Sequence, residues 1–457
     1  FKDGSALKIE KPTTNSAINL ALHIIRLGGQ ALLFAGTRKN AVSLATKTAA
    51  HVKGILSKPM VRSLTRLSEQ ILATGERTRI SESLAQLVQC GTAFHHAGLG
   101  GAHRKLVEDA FREGKIKVLV ATPTLAFGVN LPARMVVIQD YRRYEPGYGY
   151  YPITVLEYKQ MAGRAGRPRY DKIGEAILIA KTDDERDYLM ESYVLSEPER
   201  IWSKLAVERI LRGHVLATVA ADFAHTEQGI YDFFGKTFYA YQYDPNAIRG
   251  VIARILKFLY EEKMIEVDGN DVLATKFGRR VSELYIDPVS AVIMRDAMLN
   301  RAPILSDISF LHMIAHMPDI FPKLRPYSNE IDELALFVDE HRDEFMVQVP
   351  EEWEDRIDYE EFLGEAKLAL VMDAWIKEVT EDGIIEKFRV QPGDLYRLLS
   401  TARWLLYASH EIGALFGYKD LLKNLAELMD RVEKGVKKEL LPLVRLEGIG
   451  RVRARIL

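Results

Sequence analysis

Two arginines and a glutamine lie close together in Gln160–Pro168, which reads Gln-Met-Ala-Gly-Arg-Ala-Gly-Arg-Pro. Gln160 precedes Arg164 by four residues and Arg164 precedes Arg167 by three, a spacing that places side chains on one face of a helix. Two guanidinium groups and an amide converging in this way suit a triphosphate, because fixed cationic groups stabilise the charge that develops as the γ-phosphoryl group leaves. A basic helix end exposed to solvent is the alternative interpretation.

The helix that would carry these side chains has a clear start signal and two unfavourable residues. Thr154 and Glu157 are spaced as a capping box, which predicts that the helix begins directly after Thr154. Gly163 and Gly166 inside such a helix would each cost roughly 1 kcal/mol relative to alanine. Because an ordinary surface helix gains nothing from that cost, the glycines favour a specific function over a plain basic helix end.

A second segment, Val118–Pro132, joins an apolar run to hydroxyl groups and a turn that contains glycine. Ligands of open α/β sheets bind beyond the carboxyl ends of the strands, where hydroxyl groups and loop amides can hold a phosphate oxygen. Thr122 and Thr124 supply the hydroxyl groups, and Gly128 lies in the turn. The segment is consistent with phosphate binding, and an ordinary strand-to-helix loop is the alternative.

The elements that must position these two segments alternate along residues 1–185. Strands that are apolar throughout and separated by helices predict a parallel sheet covered on both faces, hence an α/β fold. The apolar runs predict strands at Gln30–Ala35, Thr92–His95, Lys117–Thr122, Met135–Asp140 and Glu175–Lys181, and helical spacing predicts helices that include Ala17–Leu27, Asn40–Val52 and Arg104–Arg112.

Residues 186–457 are predicted to be mostly α-helical. Helical patterns at Glu199–Ala224 and Asn246–Glu262 precede a hairpin signal, in which Met264–Val267 and Val272–Thr275 flank an Asp-Gly-Asn-Asp turn. Helices followed by a hairpin predict a winged helix at 186–285. We expect a helical domain at 286–440 and the truncated start of a helix-hairpin-helix at 441–457.

The composition excludes several classes of protein. Hydrophobic residues make up 47% and charged residues 27% of the 457, so most of the chain is not disordered. The 62 Lys+Arg balance 63 Asp+Glu, so a nucleic-acid site must arise from local clustering of basic residues. Cys90 is the only cysteine, which excludes an internal disulfide and predicts a reducing, cytoplasmic setting. No apolar run has the length of a membrane span.

The chain begins with Phe1 rather than methionine, so we expect it to be part of a longer protein.

Four motifs, taken together, resemble a known family. Phe34–Arg38, Phe94–Leu99, Ala121–Ala133 and Gln160–Pro168 occur in order and are similar to motifs IV, IVa, V and VI of superfamily 2 helicases. The Phe-His-His-Ala-Gly-Leu sequence and a tyrosine-rich insert before the last motif resemble the Ski-like branch. Within that branch the chain is most similar to the archaeal Hjm group of DNA repair helicases, which is related to the helicase part of DNA polymerase theta. The resemblance covers nearly the whole chain and implies that residues 1–185 are the second of two RecA-like domains.

The resemblance also implies roles for individual residues of this domain. The residues that would face ATP bound by the first RecA-like domain are Gln160, Arg164 and Arg167, accompanied by Gly128 and Asn130. The residues that would contact the DNA strand are Thr37, Arg38, His96 and Thr122.

The tyrosine-rich insert Tyr141–Pro152 lies where members of this family carry a strand-separating β-hairpin. Aromatic faces can stack on the last base pair, and arginines can hold the backbone. The residues expected to do so are Arg143, Tyr144, Tyr148 and Tyr150. A tyrosine-rich loop that packs on its own domain is the alternative interpretation.

The 457 residues contain no phosphate loop of the form G-x-x-x-x-G-K-[ST]. Gly229–Thr237 comes nearest but has one residue too many between its glycines, and Leu334–Arg342, which imitates a strand ending in acidic residues, has helical spacing instead. We therefore expect ATP and Mg²⁺ to be bound mainly by an upstream RecA-like domain of the same protein, and we expect no ATP hydrolysis by this chain alone.

His312 and His316 lack a nearby third ligand, so no metal site is predicted.

The pattern of Asp394–Phe416 predicts an amphipathic helix with an unusual polar face. Leucines and an alanine form one apolar stripe, and Arg397 and Trp404 lie opposite it, seven residues apart and so roughly 10 Å along the helix axis. An aligned arginine and indole could each stack on a base of a single strand. The alternative is that this face packs on another domain. The resemblance implies the first reading, because the pair matches the base-stacking arginine and tryptophan of the family's ratchet helix.

Residues 446–455 resemble a helix-hairpin-helix. Gly448 and Gly450 would allow a tight turn whose amides face a DNA phosphate, with Arg451 beside it.

Three functions are compatible with these patterns. The leading hypothesis is that the chain is part of an ATP-dependent 3′-to-5′ DNA helicase that translocates on single-stranded DNA. It would unwind forked or branched duplexes in replication-coupled repair, associated with the nucleoid and with repair and replication proteins. The helix-hairpin-helix favours DNA over the second hypothesis, an RNA helicase of the same branch. Gln160, Arg164 and Arg167 argue against the third, a nucleic-acid-binding scaffold with an inactive motor.

Overall fold

The computed structural model describes residues 5–145, 149–168 and 171–457. The chain divides into two units. Unit 1 comprises residues 1–200 together with 391–394, and unit 2 comprises residues 201–390 and 395–457. The expected boundaries at 185, 285 and 440 stay predictions.

Unit 1 is built around a parallel sheet of five strands, in the order β2-β3-β1-β4-β7. Every residue of the first four of these strands is buried, because apolar runs such as Val-Leu-Val-Ala must be covered on both faces. The strands of this sheet are β1 Ala31–Phe34, β2 Thr92–His95, β3 Val118–Ala121, β4 Met135–Ile138 and β7 Glu175–Leu178. A separate antiparallel hairpin is formed by β5 Arg142–Glu145 and β6 Gly149–Pro152. The predicted α/β fold with a parallel sheet is confirmed.

The described residues of unit 1 also form seven α-helices. The helices are α1 Ser16–Arg26, α2 Arg38–Val52, α3 Lys58–Ala73, α4 Arg79–Gln89, α5 Gly101–Arg112, α6 Val155–Ala162 and α7 Asp183–Leu189. Three match the predicted helices closely. Two of these three, α1 and α5, are followed within two residues by a glycine of positive φ, Gly28 at 79° and Gly114 at 74°, as is typical of helix C-termini.

Unit 2 is mostly helical, as predicted, with one hairpin. The hairpin pairs β8 Ile265–Asp268 with β9 Asp271–Ala274. The helices are α8 Glu208–Ala220, α9 Glu227–Phe234, α10 Phe238–Gln242, α11 Pro245–Glu261, α12 Lys276–Leu284, α13 Pro288–Asn300, α14 Asp307–His316, α15 Ile331–Glu340, α16 Arg356–Ile376, α17 Glu381–Phe388, α18 Pro392–Phe416, α19 Lys419–Lys434, α20 Leu441–Val444 and α21 Arg451–Ile456. The first residues of α18 belong to unit 1.

One predicted helix start was wrong. The helix expected from Glu199 begins at Glu208 instead. The carboxylate of Glu199 accepts hydrogen bonds from the amides of Val155 and Leu156 in unit 1. Helical spacing cannot predict that the side chain of Glu199 caps the start of a helix more than 40 residues earlier in the chain.

The apolar stripe of α18 lies in the core of unit 2, as its spacing predicts. Its members are all less than 9% exposed and are Leu395, Leu398, Leu399, Ala402, Leu405 and Leu406. The strand-like segment at 334–339 is helical, with Leu334 and Val338 buried. Within the described ranges, no helix is both long enough and apolar enough to cross a membrane.

Candidate nucleotide-facing and nucleic-acid sites

The helix α6, which leads into the two arginines, is fixed at its start from two directions. Thr154 and Glu157 form the predicted capping box. Glu199 adds a second cap, since its carboxylate accepts from the amides of Val155 at 2.6 Å and Leu156 at 2.9 Å. Burial raises the pKa of Glu199, but these amide hydrogen bonds outweigh it and lower the pKa overall. No local pattern predicts this second cap, because Glu199 lies more than 40 residues after the start of α6.

The prediction that Arg164 and Arg167 continue this helix was wrong. α6 ends at Ala162, and the chain then turns into contact with the sheet. The amide of Ala133 donates to the carbonyl of Arg164 at 2.9 Å, and the amide of Gly166 donates to the carbonyl of Ala133 at 2.7 Å. Gly166 has a φ of +92°, which no helix accommodates. The glycines therefore serve a turn, and the arginines are presented from it.

Arg164 is held by the loop that follows β3. Its Nη2 donates to the carbonyl of Ala126 at 2.5 Å, and its Nη1 lies 3.4 Å from the Oδ1 of Asn130. Its Nε is buried and has no hydrogen-bond partner among the described residues. Gly128, in the same loop, is exposed and has a φ of +92°. The structure thus brings together Arg164 and Asn130, two of the predicted nucleotide-facing residues.

Arg167 is fixed by two residues that were not predicted. Its Nε and Nη2 donate to the two carboxylate oxygens of Asp171 at 2.8 and 2.9 Å, and its Nη1 donates to the Oε1 of Gln30 at 2.8 Å. The hydrogen bond from Arg167 lowers the pKa of Asp171. Gln30 is itself anchored, because its amide nitrogen donates to the carbonyls of Phe111 and Ile116 at 2.7 Å. Gln160, near the end of α6, is exposed.

Two predicted DNA contacts lie at the start of α2. Thr37 is the N-cap residue, and its hydroxyl oxygen accepts from the amide of Asn40 at 3.1 Å. Arg38 forms a two-pronged ion pair with Asp394, in which its Nη2 donates to Oδ1 at 3.0 Å and its Nη1 donates to Oδ2. The Nη1 of Arg38 also donates to the Oε1 of Gln391 at 3.0 Å. The guanidinium predicted to touch DNA phosphate is therefore already paired with a carboxylate.

Two other predicted DNA contacts are buried. The hydroxyl of Thr122 lies 2.9 Å from that of Thr124, and Thr122 is 8% exposed. His96 is fully buried and stacks on Phe94 with ring centroids 5.3 Å apart. Burial, reinforced by the nearby charge of Arg38, lowers the pKa of His96 to about 4. The His96 ring is therefore neutral at pH 7 and lies in the core of unit 1, away from the surface.

The tyrosine-rich insert forms a β-hairpin with two different faces. Tyr144 and Tyr150 face each other across the strands, with ring centroids 5.3 Å apart, and are 50% and 65% exposed. On the other face, Arg143 lies over the ring of Tyr151 at 4.9 Å and donates to Glu157 at 2.5 Å. One pair of rings is thus open to solvent, whereas Arg143 and Tyr151 pack together and Arg143 is bonded to Glu157 of α6. The strand-separating role stays a prediction. Tyr148 lies outside the described residues.

Arg397 and Trp404 of α18 are both hydrogen-bonded to backbone carbonyls of unit 2. Arg397 is exposed, and its Nη1 donates to the carbonyl of Phe321 at 2.9 Å. Trp404 is half-buried against the core, and its indole N–H donates to the carbonyl of Leu284 at 3.0 Å. The edge of the indole is therefore anchored, and only part of the ring remains accessible for stacking.

The segment expected to start a helix-hairpin-helix has an open turn and a buried arginine. Gly448, with a φ of +80°, and Gly450 are both exposed. Arg451 is 9% exposed, and its guanidinium carbon lies 3.7 Å from the ring centroid of Trp375. Since that guanidinium also donates to the carbonyl of Val379, it stabilises the packing of α21 and is turned away from solvent.

The parallel sheet of unit 1, together with the turn after α6 that carries Arg164 and Arg167, is typical of the RecA-like domains of helicases. A family model described as "Helicase conserved C-terminal domain" matches residues 59–169, which include Gln160, Arg164 and Arg167. A second model, "Archaeal helicase, domain 4", matches residues 308–435, which include Arg397 and Trp404.

Similar proteins narrow this class further. The chain is 43% identical over 456 residues to a Methanocella arvoryzae protein named ATP-dependent DNA helicase Hel308, covering 98% of this chain and 61% of that protein. Proteins of the same name from Pyrococcus horikoshii and Caldivirga maquilingensis are each 40% identical, covering 100% and 97% of this chain and 62% and 60% of their own lengths. The chain thus spans about 60% of the relatives it matches. It is a homologue, along its whole length, of the Hel308-type archaeal superfamily 2 DNA helicases.

Proposed function

We propose that this chain is part of an ATP-dependent 3′-to-5′ DNA helicase that moves along single-stranded DNA and unwinds forked or branched duplexes in replication-coupled repair. The observation that carries the proposal is the pair Arg164 and Arg167, presented from a turn that is hydrogen-bonded to Ala133 and lies within the segment matched by the helicase family model. The relatives are named as ATP-dependent DNA helicases, which supports the same reaction and substrate.

ATP would lie between unit 1 and the upstream, first RecA-like domain, which would carry the phosphate loop and hold Mg²⁺. The side chains of unit 1 fit a nucleotide in that position, because the buried Nε of Arg164 has no hydrogen-bond partner among the described residues and Gln160 is exposed. Arg164 and Arg167 would stabilise the negative charge of the γ-phosphoryl group during transfer to water. Asp171 and Gln30 would keep the Arg167 guanidinium in one orientation, so that little reorganisation accompanies each cycle.

The DNA strand would be contacted by both units. Thr37, Arg38 and the open face of the hairpin at Tyr144 and Tyr150 are the proposed contacts in unit 1, and Arg397 and Trp404 are those in unit 2. Exposed tyrosine rings can stack on the last base pair at a junction, which would separate the strands as the single strand is drawn past.

ATP turnover tests the proposal most directly. The chain alone should hydrolyse no ATP, whereas a fusion with a RecA-like domain that carries a phosphate loop should do so. We expect single-stranded DNA to stimulate that turnover more than RNA of the same length and sequence. Turnover by the chain alone would contradict the proposed division of the site. Stronger stimulation by RNA would instead favour an RNA helicase.

The stacking residues can be tested in the same fusion. We expect Trp404→Ala to leave ATP turnover nearly normal but to reduce the base pairs opened per ATP, because stacking prevents backward slippage. Tyr144→Ala combined with Tyr150→Ala should reduce unwinding of a fork and leave translocation on a single strand unchanged. Normal unwinding by both variants would refute these roles.

A further inference from the structure

Phe321 lies in the segment that joins α14 to α15 and is 68% exposed. A single exposed phenylalanine is ordinary in a folded protein and carries no functional meaning by itself. Here, however, two arginines from different helices hold the residue in place, so its exposure is a fixed feature of unit 2.

The first arginine, Arg209 of α8, lies against the ring. Its guanidinium carbon is 5.2 Å from the ring centroid of Phe321, and the same group donates to the carbonyl of Pro318. The second, Arg397 of α18, donates from Nη1 to the carbonyl of Phe321 itself at 2.9 Å. Arg209 can cover only one face of the ring, and with 68% of the residue exposed the opposite face is open to solvent.

The charge around Phe321 is positive. Arg209 and Arg397 are exposed and are bonded here to carbonyl oxygens, which leave the full charge of a guanidinium in place. Asp319 is the only acidic residue between 317 and 329. Its carboxylate accepts from the amide of Asp287 at 2.9 Å and also interacts with the charge of Arg209. An open aromatic face in a segment held by two exposed arginines is complementary to a nucleotide, whose base stacks and whose phosphate carries negative charge.

We propose that Phe321 is a base-stacking platform for single-stranded DNA, with Arg209 and Arg397 holding the adjacent phosphates. This inference rests on the proposed function and extends it, because it adds a base contact beside Arg397 that the helix α18 alone does not supply. It also departs from the base-stacking role that the family resemblance implies for Arg397, because here the guanidinium holds a phosphate and its hydrogen bond fixes the backbone of the stacking residue.

Binding of a fluorescein-labelled oligothymidylate to the chain, followed by fluorescence anisotropy at low salt, tests the platform. Loss of one stacked base should weaken binding roughly fivefold or more in Phe321→Ala. Phe321→Trp should bind at least as tightly as the unaltered chain, because an indole offers a larger stacking face. The matched control is Phe223→Ala, since Phe223 is 73% exposed in the same unit but lies beside Phe233 rather than an arginine. That control should bind normally.

A crosslink supplies a readout that a folding defect would not imitate. An oligonucleotide containing 5-iodouracil should crosslink under ultraviolet light to the peptide that carries Phe321, and the crosslink should disappear in Phe321→Ala. Normal affinity of Phe321→Ala, or equal losses in the Phe223→Ala control, would overturn the platform while leaving the proposed function intact. Failure of the unaltered chain to bind the oligonucleotide would instead overturn the proposed DNA contacts, and the platform with them.

Discussion

Two arginines of unit 1 and two of unit 2, all proposed to meet phosphate groups, are held by opposite kinds of partner. In unit 1, Arg38 is paired with Asp394 and Arg167 with Asp171, and both pairs are two-pronged. In unit 2, Arg397 and Arg209 are held by the carbonyls of Phe321 and Pro318. A carboxylate fixes the orientation of a guanidinium but cancels its charge, whereas a carbonyl fixes the orientation and leaves the charge.

This difference indicates how the two units would meet phosphate groups. In unit 1, Arg167 is oriented for a reaction whose geometry must be reproduced in every cycle, and its charge is balanced by Asp171. The charge of Arg38, a proposed DNA contact, is balanced by Asp394. In unit 2, Arg397 and Arg209 are held by carbonyls, which suits a strand that must bind in any register and then move on. Two predictions test this contrast, and another compares the acid stability of the two units.

The largest effect is expected at Arg167. In a fusion with a phosphate-loop domain, Arg167→Ala should reduce ATP turnover by on the order of 10³-fold, because it removes a guanidinium that Asp171 and Gln30 hold in the orientation proposed for the transferring phosphoryl group. Steady-state ATP hydrolysis in the presence of single-stranded DNA measures this. Arg112→Ala is the matched control, since Arg112 also belongs to unit 1 and pairs with a carboxylate, Asp109, at 2.6 Å. Comparable turnover in the two variants would remove Arg167 from the proposed reaction.

A second effect is expected in the acid stability of the two units. Burial lowers the pKa of His96 in unit 1 to about 4 and that of His312 in unit 2 to about 3. At a pH below about 6.5, the ordinary pKa of histidine, these rings are protonated in the unfolded chain but stay neutral in the folded state. The free energy of unfolding should therefore fall as the pH drops, by at most about 1.4 kcal/mol per pH unit for each ring. The loss from His96 should end near pH 4 and that from His312 near pH 3.

Calorimetric melts between pH 7 and pH 4 would measure this loss. His96→Phe and His312→Phe should each flatten the pH dependence of the unit in which the residue lies. Neither change removes a hydrogen bond, because both rings lack a partner for their nitrogens among the described residues. An unchanged slope in His312→Phe would show that its ring is not the group that titrates.

The smallest and most diagnostic effect concerns the salt dependence of DNA binding. Each phosphate contact to a single strand contributes about 0.7 to the slope of log affinity against log salt concentration. Arg397→Ala should make that slope shallower by about this amount. Asp394→Asn should make it steeper by up to the same amount, because it releases the charge of Arg38. Titrations of oligothymidylate binding at several salt concentrations measure both. Equal slopes in the two variants would remove the distinction drawn between the units.

Much of the fold could be predicted from the sequence, because the relevant signals are local. Continuous apolar runs located the five strands of the parallel sheet, and the stripe from Leu395 to Leu406 located the buried face of α18. The same local rules extended α6 too far. The turn at Gly166 depends on hydrogen bonds with Ala133, more than 30 residues earlier, and helical spacing contains no information about them.

The candidate site divides in the same way. The sequence alone determined which residue types are available, since Gln160, Arg164, Arg167, Arg397 and Trp404 could be chosen from their spacing and from a family resemblance. Only the tertiary structure decided what holds them and which remain open. Asp394 meets Arg38 across more than 350 residues of sequence, His96 and Arg451 turn inward, and Phe321 is held in place by arginines from two other helices. Spacing fixes the face of a helix or strand on which a side chain lies, but its partner and its exposure depend on which distant segments fold against that face.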